Sequence, residues 1–150
     1  MFQTATSRGV FAAVCLSAIA ALVSASGVVA SGNDAKPSIA VKSSPVMGTA
    51  PFRVVLTADV RGGADDYEEY YCATIEWDMG DGNKAEQQVD CDPYEAGKSQ
   101  IKRRHVREQV FDTPGEFRVM FRLKQKNKVV GSGNTTVRVR PGLRDMDDIR

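Results

Sequence analysis

Histidine occurs once in the 150 residues of this chain, at position 105. Any Ser/His or Cys/His nucleophilic scheme would have to use His105 as its base. It stands in Arg103-Arg104-His105-Val106-Arg107, whose cations disfavour an imidazolium, and the pattern predicts a surface residue on a strand. Carboxylates are numerous enough for a glycosidase-type acid pair. Asp78 and Asp81, however, belong to Trp77-Asp78-Met79-Gly80-Asp81-Gly82. Gly accepts positive φ there and Asp folds its carboxylate onto backbone N–H groups, so both acids are better explained as turn builders. No base–nucleophile pair emerges, and the expectation is a chain that is not an enzyme.

Other residues are suited to contact. Tyr67, Tyr70, Tyr71 and Tyr94 are all the tyrosines of the chain, and they lie close in sequence to Cys72 and Cys91. Tyr gives contact area at low entropy cost, which suits protein and glycan interfaces. Tyr67 and Tyr94 are the candidate binding residues, with packing of the surrounding loop as the alternative; Tyr71, in phase with Trp77, is expected to pack. Lys98 to Arg107 holds five Lys/Arg and no acid. It could bind a polyanion, but alternation along a strand splits such charges between two faces. The expected role is a strand whose cationic stems cover apolar surface and face the acids of Asp65 to Glu69.

The N-terminus reads as an export signal. Arg8 is the only charge in the first thirty residues, Gly9 to Val23 is a small-residue apolar run, and Val28-Val29-Ala30 offers small residues for cleavage. Cleavage is expected after Ala30, with Ser26 the alternative site; the apolar stretch is also long enough to be kept as an anchor. Cys15 lies inside this run and would leave with the signal. The remaining pair, Cys72 and Cys91, reads as one disulfide in an exported chain, because a metal site would need more ligands than one His supplies. Closing its loop should contribute about 3 kcal/mol. The chain carries 20 Lys+Arg and 19 Asp+Glu. This balance argues against a nucleic-acid or membrane-surface binder.

The elements that must position these residues follow from period-two patterning. Ser38 to Ser43 is a first strand carrying Ile39 and Val41, broken by Pro45 and a turn over Gly48–Pro51. Phe52, Val54, Leu56 and Ala58 share the inner face of the next. Tyr71, Ala73, Ile75, Trp77 and Met79 share one face, which places Trp77 in the core, and Lys84 to Val89 returns. Asp90 to Ser99 is longer than a minimal sandwich needs, and loops of this kind carry function more often than strands do. Lys102 to Phe111 is predicted as a strand with Val106 and Val110 partly buried. Phe117, Val119, Phe121 and Leu123 form the clearest strand, Asn127 turns the chain, and Thr135 to Arg140 is the last strand. No helix signal appears beyond residue 30. The expected organisation is a signal at 1–30, a lead-in at 31–36, one domain at 37–141 and a tail at 142–150.

Three segments sharpen this picture. Gly48-Thr49-Ala50-Pro51-Phe52, Trp77 to Gly82, and Phe111-Asp112-Thr113-Pro114-Gly115-Glu116-Phe117, in that order, resemble the polycystic kidney disease (PKD) domain of extracellular proteins. Its signature is Trp-Asp-x-Gly-Asp-Gly followed by a Tyr-x-x-Pro-Gly-x-Tyr corner. Trp77, Asp78, Gly80, Asp81 and Gly82 match it, and Phe111 and Phe117 replace the tyrosines around Pro114 and Gly115. The resemblance covers about residues 37 to 140. It implies an all-β fold, an immunoglobulin-like antiparallel β-sandwich of about seven strands. Some bacterial members bind Ca²⁺ through acids of the loop before the Trp strand, and Asp65 and Asp66 occupy that loop with oxygen ligands suited to Ca²⁺. The Ser-x-Asp-x-Asp-Gly run of those members is absent, and solvated acids are the reading the residues favour. No other cofactor is implied. The implied function is an exported, non-catalytic binding or adhesion module making protein–protein or protein–carbohydrate contacts. A structural or accessory subunit of a cell-surface assembly is the alternative, and a small carbohydrate-active enzyme the third reading. The expected partner is an extracellular protein or glycan, and the expected location is secreted, periplasmic or cell-surface, with no membrane insertion of the mature domain.

Overall fold

The computed structural model describes residues 35–142. The expected signal, residues 31–34 of the lead-in, and residues 143–150 of the tail lie outside the described residues. Eight strands form two layers. One sheet contains β1 (Ser38–Ser44), β3 (Phe52–Arg61) and β6 (Arg104–Phe111) in the order β1-β3-β6. The other contains β2 (Met47–Thr49), β4 (Thr74–Asp78), β5 (Lys84–Gln87), β7 (Gly115–Gln125) and β8 (Lys128–Arg140) in the order β2-β8-β7-β4-β5. This is the all-β sandwich that the alternation predicts, in the immunoglobulin-like form that the resemblance implies. Among the described residues the only helical element is one 3₁₀ turn at Glu68–Tyr70, and no helix is long and apolar enough to cross a membrane.

The inner faces are those of the sequence pattern. Phe52, Val54, Leu56 and Ala58 of β3 meet Phe117, Val119, Phe121 and Leu123 of β7 in one core, with Ile75, Trp77 and Met79 beside them. Trp77 is 4% exposed and sets its ring edge-on to Phe121 at 4.7 Å. Phe111 and Phe117, in the two aromatic places of the corner, stack at 4.5 Å around Pro114 and Gly115.

Several expectations need correction. The pairing is not wholly antiparallel, because Met47 to Thr49 runs parallel to Arg138–Arg140 where the sequence predicts only a break. Three residues are too few to show alternation. The last strand begins at Lys128, well before Thr135, since Gly131 and Gly133 interrupt the apolar pattern that marks it. Gly133 has a packing reason: a Cβ there would stand 2.7 Å from the Ile39 carbonyl oxygen of β1. The hairpin turns through Lys126 (φ 47°) and Asn127 (φ 65°), both left-handed as a tight two-residue connection requires.

The largest correction concerns β6. Its register pairs Phe52 with Phe111, Val54 with Gln109 and Ala58 with His105, so the odd-numbered residues share the inner side, where Phe111 and His105 are buried and Arg107 reaches solvent. Val106 and Val110 therefore point outward, 59% and 37% exposed. His105 is not a surface residue; it is 6% exposed, with its ring 5.1 Å from Phe121 of the opposite sheet. The flanking arginines suggest a solvated segment, but the strand phase is set by Phe111 at its far end.

Candidate binding site

The candidate site is built where the chain enters β4. Cys72 has φ 51°, an uncommon conformation for a non-glycine residue, and it breaks the alternation between Tyr71 and Ala73. Its disulfide to Cys91 is formed as expected, with Cα atoms 6.0 Å apart, and pins the segment after β5 to the start of β4. The same segment is tied down by hydrogen bonds. Tyr94 donates its hydroxyl to the Asp66 carbonyl at 2.8 Å, and Gly97 N–H donates to Asp66 Oδ2 at 2.7 Å. Tyr71 donates its hydroxyl to the Asp92 carbonyl at 3.0 Å. With their tips anchored, the two rings meet at 5.7 Å.

Between this segment and the β7–β8 hairpin lies a groove of about 660 Å³ lined by Tyr71, Tyr94, Glu68, Asp92, Lys126 and Lys128. Among the described residues, the side-chain carboxylates of Glu68 and Asp92 and the ammonium groups of Lys126 and Lys128 make no hydrogen bond or ion pair. The groove thus presents anchored aromatic rings among four charged side chains without a hydrogen bond or close ion pair, Lys128 acting at longer range on Glu69. Burial first, then the negative charge of Asp66 and Glu68, raises the pKa of the Tyr94 hydroxyl and keeps it a donor.

The structure brings together only part of what the sequence nominates. Tyr94 lines the groove; Tyr67 does not. Tyr67 sits edge-on to Tyr70 at 5.2 Å and donates to Glu69 Oε2 at 3.3 Å. Tyr70 is buried and donates its hydroxyl to the Pro37 carbonyl. Tyr71 packs partly against the core as expected, and it also supplies the second ring of the groove. The positive φ at Cys72 is what turns it out of phase with Trp77, and no residue type announces that conformation.

Asp65 and Asp66 have protein partners. Asp65 Oδ1 accepts from Arg103 Nε at 2.7 Å, and that guanidinium also donates to the carbonyls of Gly62 and Gly63. Asp66 holds the Gly97 amide. Among the described residues no group of three or more His, Cys, Asp or Glu gathers around a point that could hold a metal. Of the expected pairing between the basic run and the preceding acids, Arg103 with Asp65 is present. Arg104 instead pairs with Asp59, Lys98 with Glu95, and Glu69 with Lys36.

The Trp-Asp-x-Gly-Asp-Gly segment is structural throughout. Asp78 Oδ1 accepts the Gly80 amide, and Asp81 accepts both the Asn83 amide and its side-chain NH₂. Burial raises the pKa of Asp78, but the Gly80 amide, Lys84 and Arg122 together outweigh it and leave the carboxyl below its usual value. Gly80 has φ 76°, and a Cβ there would stand 2.7 Å from the Arg118 carbonyl oxygen. One charged group escapes the sequence reading. Glu76, on the outer face of β4, is nearly buried beneath Arg122 and Lys124 of β7, bonding Arg122 at 2.5 Å and Lys124 as well. Lys124 first and Arg122 second hold its carboxyl below the usual range. The charges alternate visibly along β7, but the Glu76–Arg122 register follows only from the sheet order.

No protein-family model matches the chain, and no curated protein matches it in sequence. Solved structures do resemble it. The PKD domain of an M14-like peptidase from a Thermoplasmatales archaeon superposes with a TM-score of 0.48 at 15% identity, over 71% of this chain and 98% of that domain. The CARDB domain of the PF1109 protein from Pyrococcus furiosus, in complex with di-metal ions, gives 0.46 at 10% identity, over 71% and 94%. The solution structure of that CARDB domain gives 0.42 at 13% identity, over 69% and 93%.

Proposed function

We propose that this chain is an exported, non-catalytic binding module that engages an extracellular protein or glycan through the groove beside the Cys72–Cys91 bridge. The observation that carries this reading is the contrast within the groove between fixed and free groups. Tyr71 and Tyr94 are held in place by their hydroxyls, so a ligand meeting their rings orders little. Glu68, Asp92, Lys126 and Lys128 surround them with charges available to a partner. Export is supported by the N-terminal segment and by the disulfide. The non-catalytic reading is supported by His105, the single histidine, which is enclosed in the core, and by the bonding of Cys72 to Cys91.

The test uses the mature chain on a glycan array and against envelope extracts of the source cells, beside a Glu68→Lys/Asp92→Lys variant. The expected result is a ligand held by the wild type and released by the variant at unchanged melting temperature. Equal capture by both proteins would place the site elsewhere. The second reading, an accessory subunit that docks by strand addition, is favoured by β6. This edge strand carries Val106 and Val110 outward. Val106→Lys would abolish that mode of capture and leave groove binding intact.

A further inference from the structure

Strand β6 ends the sheet order β1-β3-β6, and among the described residues no strand pairs with its other side. The Val60 amide donates to the Arg103 carbonyl at 2.8 Å, so these two form a hydrogen-bonded pair of the β3–β6 ladder. Such pairs alternate along antiparallel strands. The N–H and C=O groups of Arg104, Val106, Glu108 and Val110 therefore point away from β3, to the open edge. The Gln109 side chain caps the Val110 carbonyl there at 3.1 Å. Among the described residues nothing caps the backbone groups of Arg104, Val106 and Glu108. Their side chains share the outer face of the sheet, where Arg104 pairs with Asp59 and Glu108 with Arg53.

Charged side chains commonly blunt an exposed edge. On β6 they run Arg104-His105-Val106-Arg107-Glu108, with opposite charges at equal distances on either side of Val106 along the outer face. A twofold axis through Val106 maps each of these charges onto its opposite. In an antiparallel pair of such edges, Val106 meets its own copy, Arg104 meets Glu108 of the second copy, and Glu108 meets its Arg104. These are also the residues with free backbone groups, so each opposed pair exchanges both of its N–H···O bonds. The ion pairs already present are extended rather than broken. Asp59, Arg104, then Glu108 and Arg53 of the second copy make a row of alternating charge. Other registers lose the match. Centring on Arg104, Arg107 or Glu108 sets like charges face to face, which destabilises a cross-strand pair, and centring on His105 faces Arg104 with Val106.

We propose that two copies of this chain pair antiparallel along β6, centred on Val106, and join their three-stranded sheets into one. An edge of eight residues is small beside standard interfaces, so the dimer is weak and reversible. No residue lining the groove belongs to β6, and the inference does not rest on groove binding. It gives to a second copy the edge that strand addition would give to another protein.

The test is sedimentation equilibrium of the mature chain over a range of concentrations, beside Arg104→Glu and Glu108→Arg. The wild type should dimerise reversibly. Each variant alone turns two cross-strand pairs from opposite to like charge, which should raise its dissociation constant about tenfold. Mixed in equal amounts, the two variants should associate as the wild type does, because every opposed charged pair is then Glu with Arg. That association also shows that both variants are folded. Glu68→Lys/Asp92→Lys should dimerise normally, which separates this result from the fate of groove binding. A wild type that stays monomeric up to about 1 mM, single variants that dimerise equally well, or a mixture that fails to associate would overturn the proposal.

Discussion

Strand β4 is five residues long, and its two ends use the same residue types for opposite purposes. At the Asp78 end, acids and glycines close on themselves: Asp78 holds Gly80, Asp81 holds Asn83, and the Met79 amide donates to the Asn83 carbonyl. Both aspartates are committed, to the turn itself and, for Asp78, also to Lys84 and Arg122. At the Thr74 end, the disulfide and two tyrosine hydroxyls fix the backbone, while the side chains of Glu68, Asp92, Lys126 and Lys128 make no hydrogen bond or close ion pair. An acidic cluster is therefore not by itself a site. What distinguishes the two ends is whether the charges already have partners.

The largest effect should come from the closed end. Trp77→Ala removes a ring buried against Phe121 and should cost about 3–5 kcal/mol. Chemical denaturation measures it, and native tryptophan emission should be blue and resistant to a polar quencher. At the open end, replacing Cys72 and Cys91 together by Ala should cost about 3 kcal/mol, the value of closing a loop of this span. It should also weaken ligand capture by freeing the segment that carries Tyr94, whereas Trp77→Ala should leave capture intact below its lowered melting temperature.

Between the ends, Glu76→Gln tests the covered outer face of β4. It leaves Arg122 and Lys124 without their shared carboxylate and should cost about 1.5–3 kcal/mol, the range for hydrogen bonds to charged groups. The smallest effect is one of pH. The folded-state pKa of His105 is depressed, so as pH falls below about 6.5 the unfolded chain takes up its proton first. Its contribution to stability is complete above about 6.5 and declines as pH falls toward the folded-state value. Glu76, held below its usual range by Lys124 and Arg122, adds a further loss at lower pH, below the ordinary carboxylate value. Denaturation midpoints measured between pH 7.5 and pH 5 should fall more steeply for the wild type than for His105→Phe.

Much of the closed end is legible in the sequence, because its residues act locally. Trp77 to Gly82 and Phe111 to Phe117 carry their turn chemistry within a few positions, and β3 and β7 alternate cleanly. The open end depends on relations that sequence spacing does not carry. Tyr94 lines the groove as its place in the sequence suggests, yet its ring partner is Tyr71 rather than Tyr67, because Cys72 adopts a positive φ after an extended Tyr71. The charged neighbours of His105 suggest a surface position, whereas its burial follows from the pairing of β6 with β3, a non-local fact. Lys126 and Lys128 come from a hairpin that only the fold brings against the disulfide.

The central claim is that the open end binds and the closed end folds. It is tested most directly by measuring melting temperature and ligand capture together for two double variants, Glu68→Lys/Asp92→Lys in the groove and Asp78→Ala/Asp81→Ala in the turn. The groove variant should melt as the wild type does and lose its ligand, while the turn variant should melt well below it and still bind when folded. A groove variant that binds normally, or a turn variant that keeps its stability and loses binding, would contradict it.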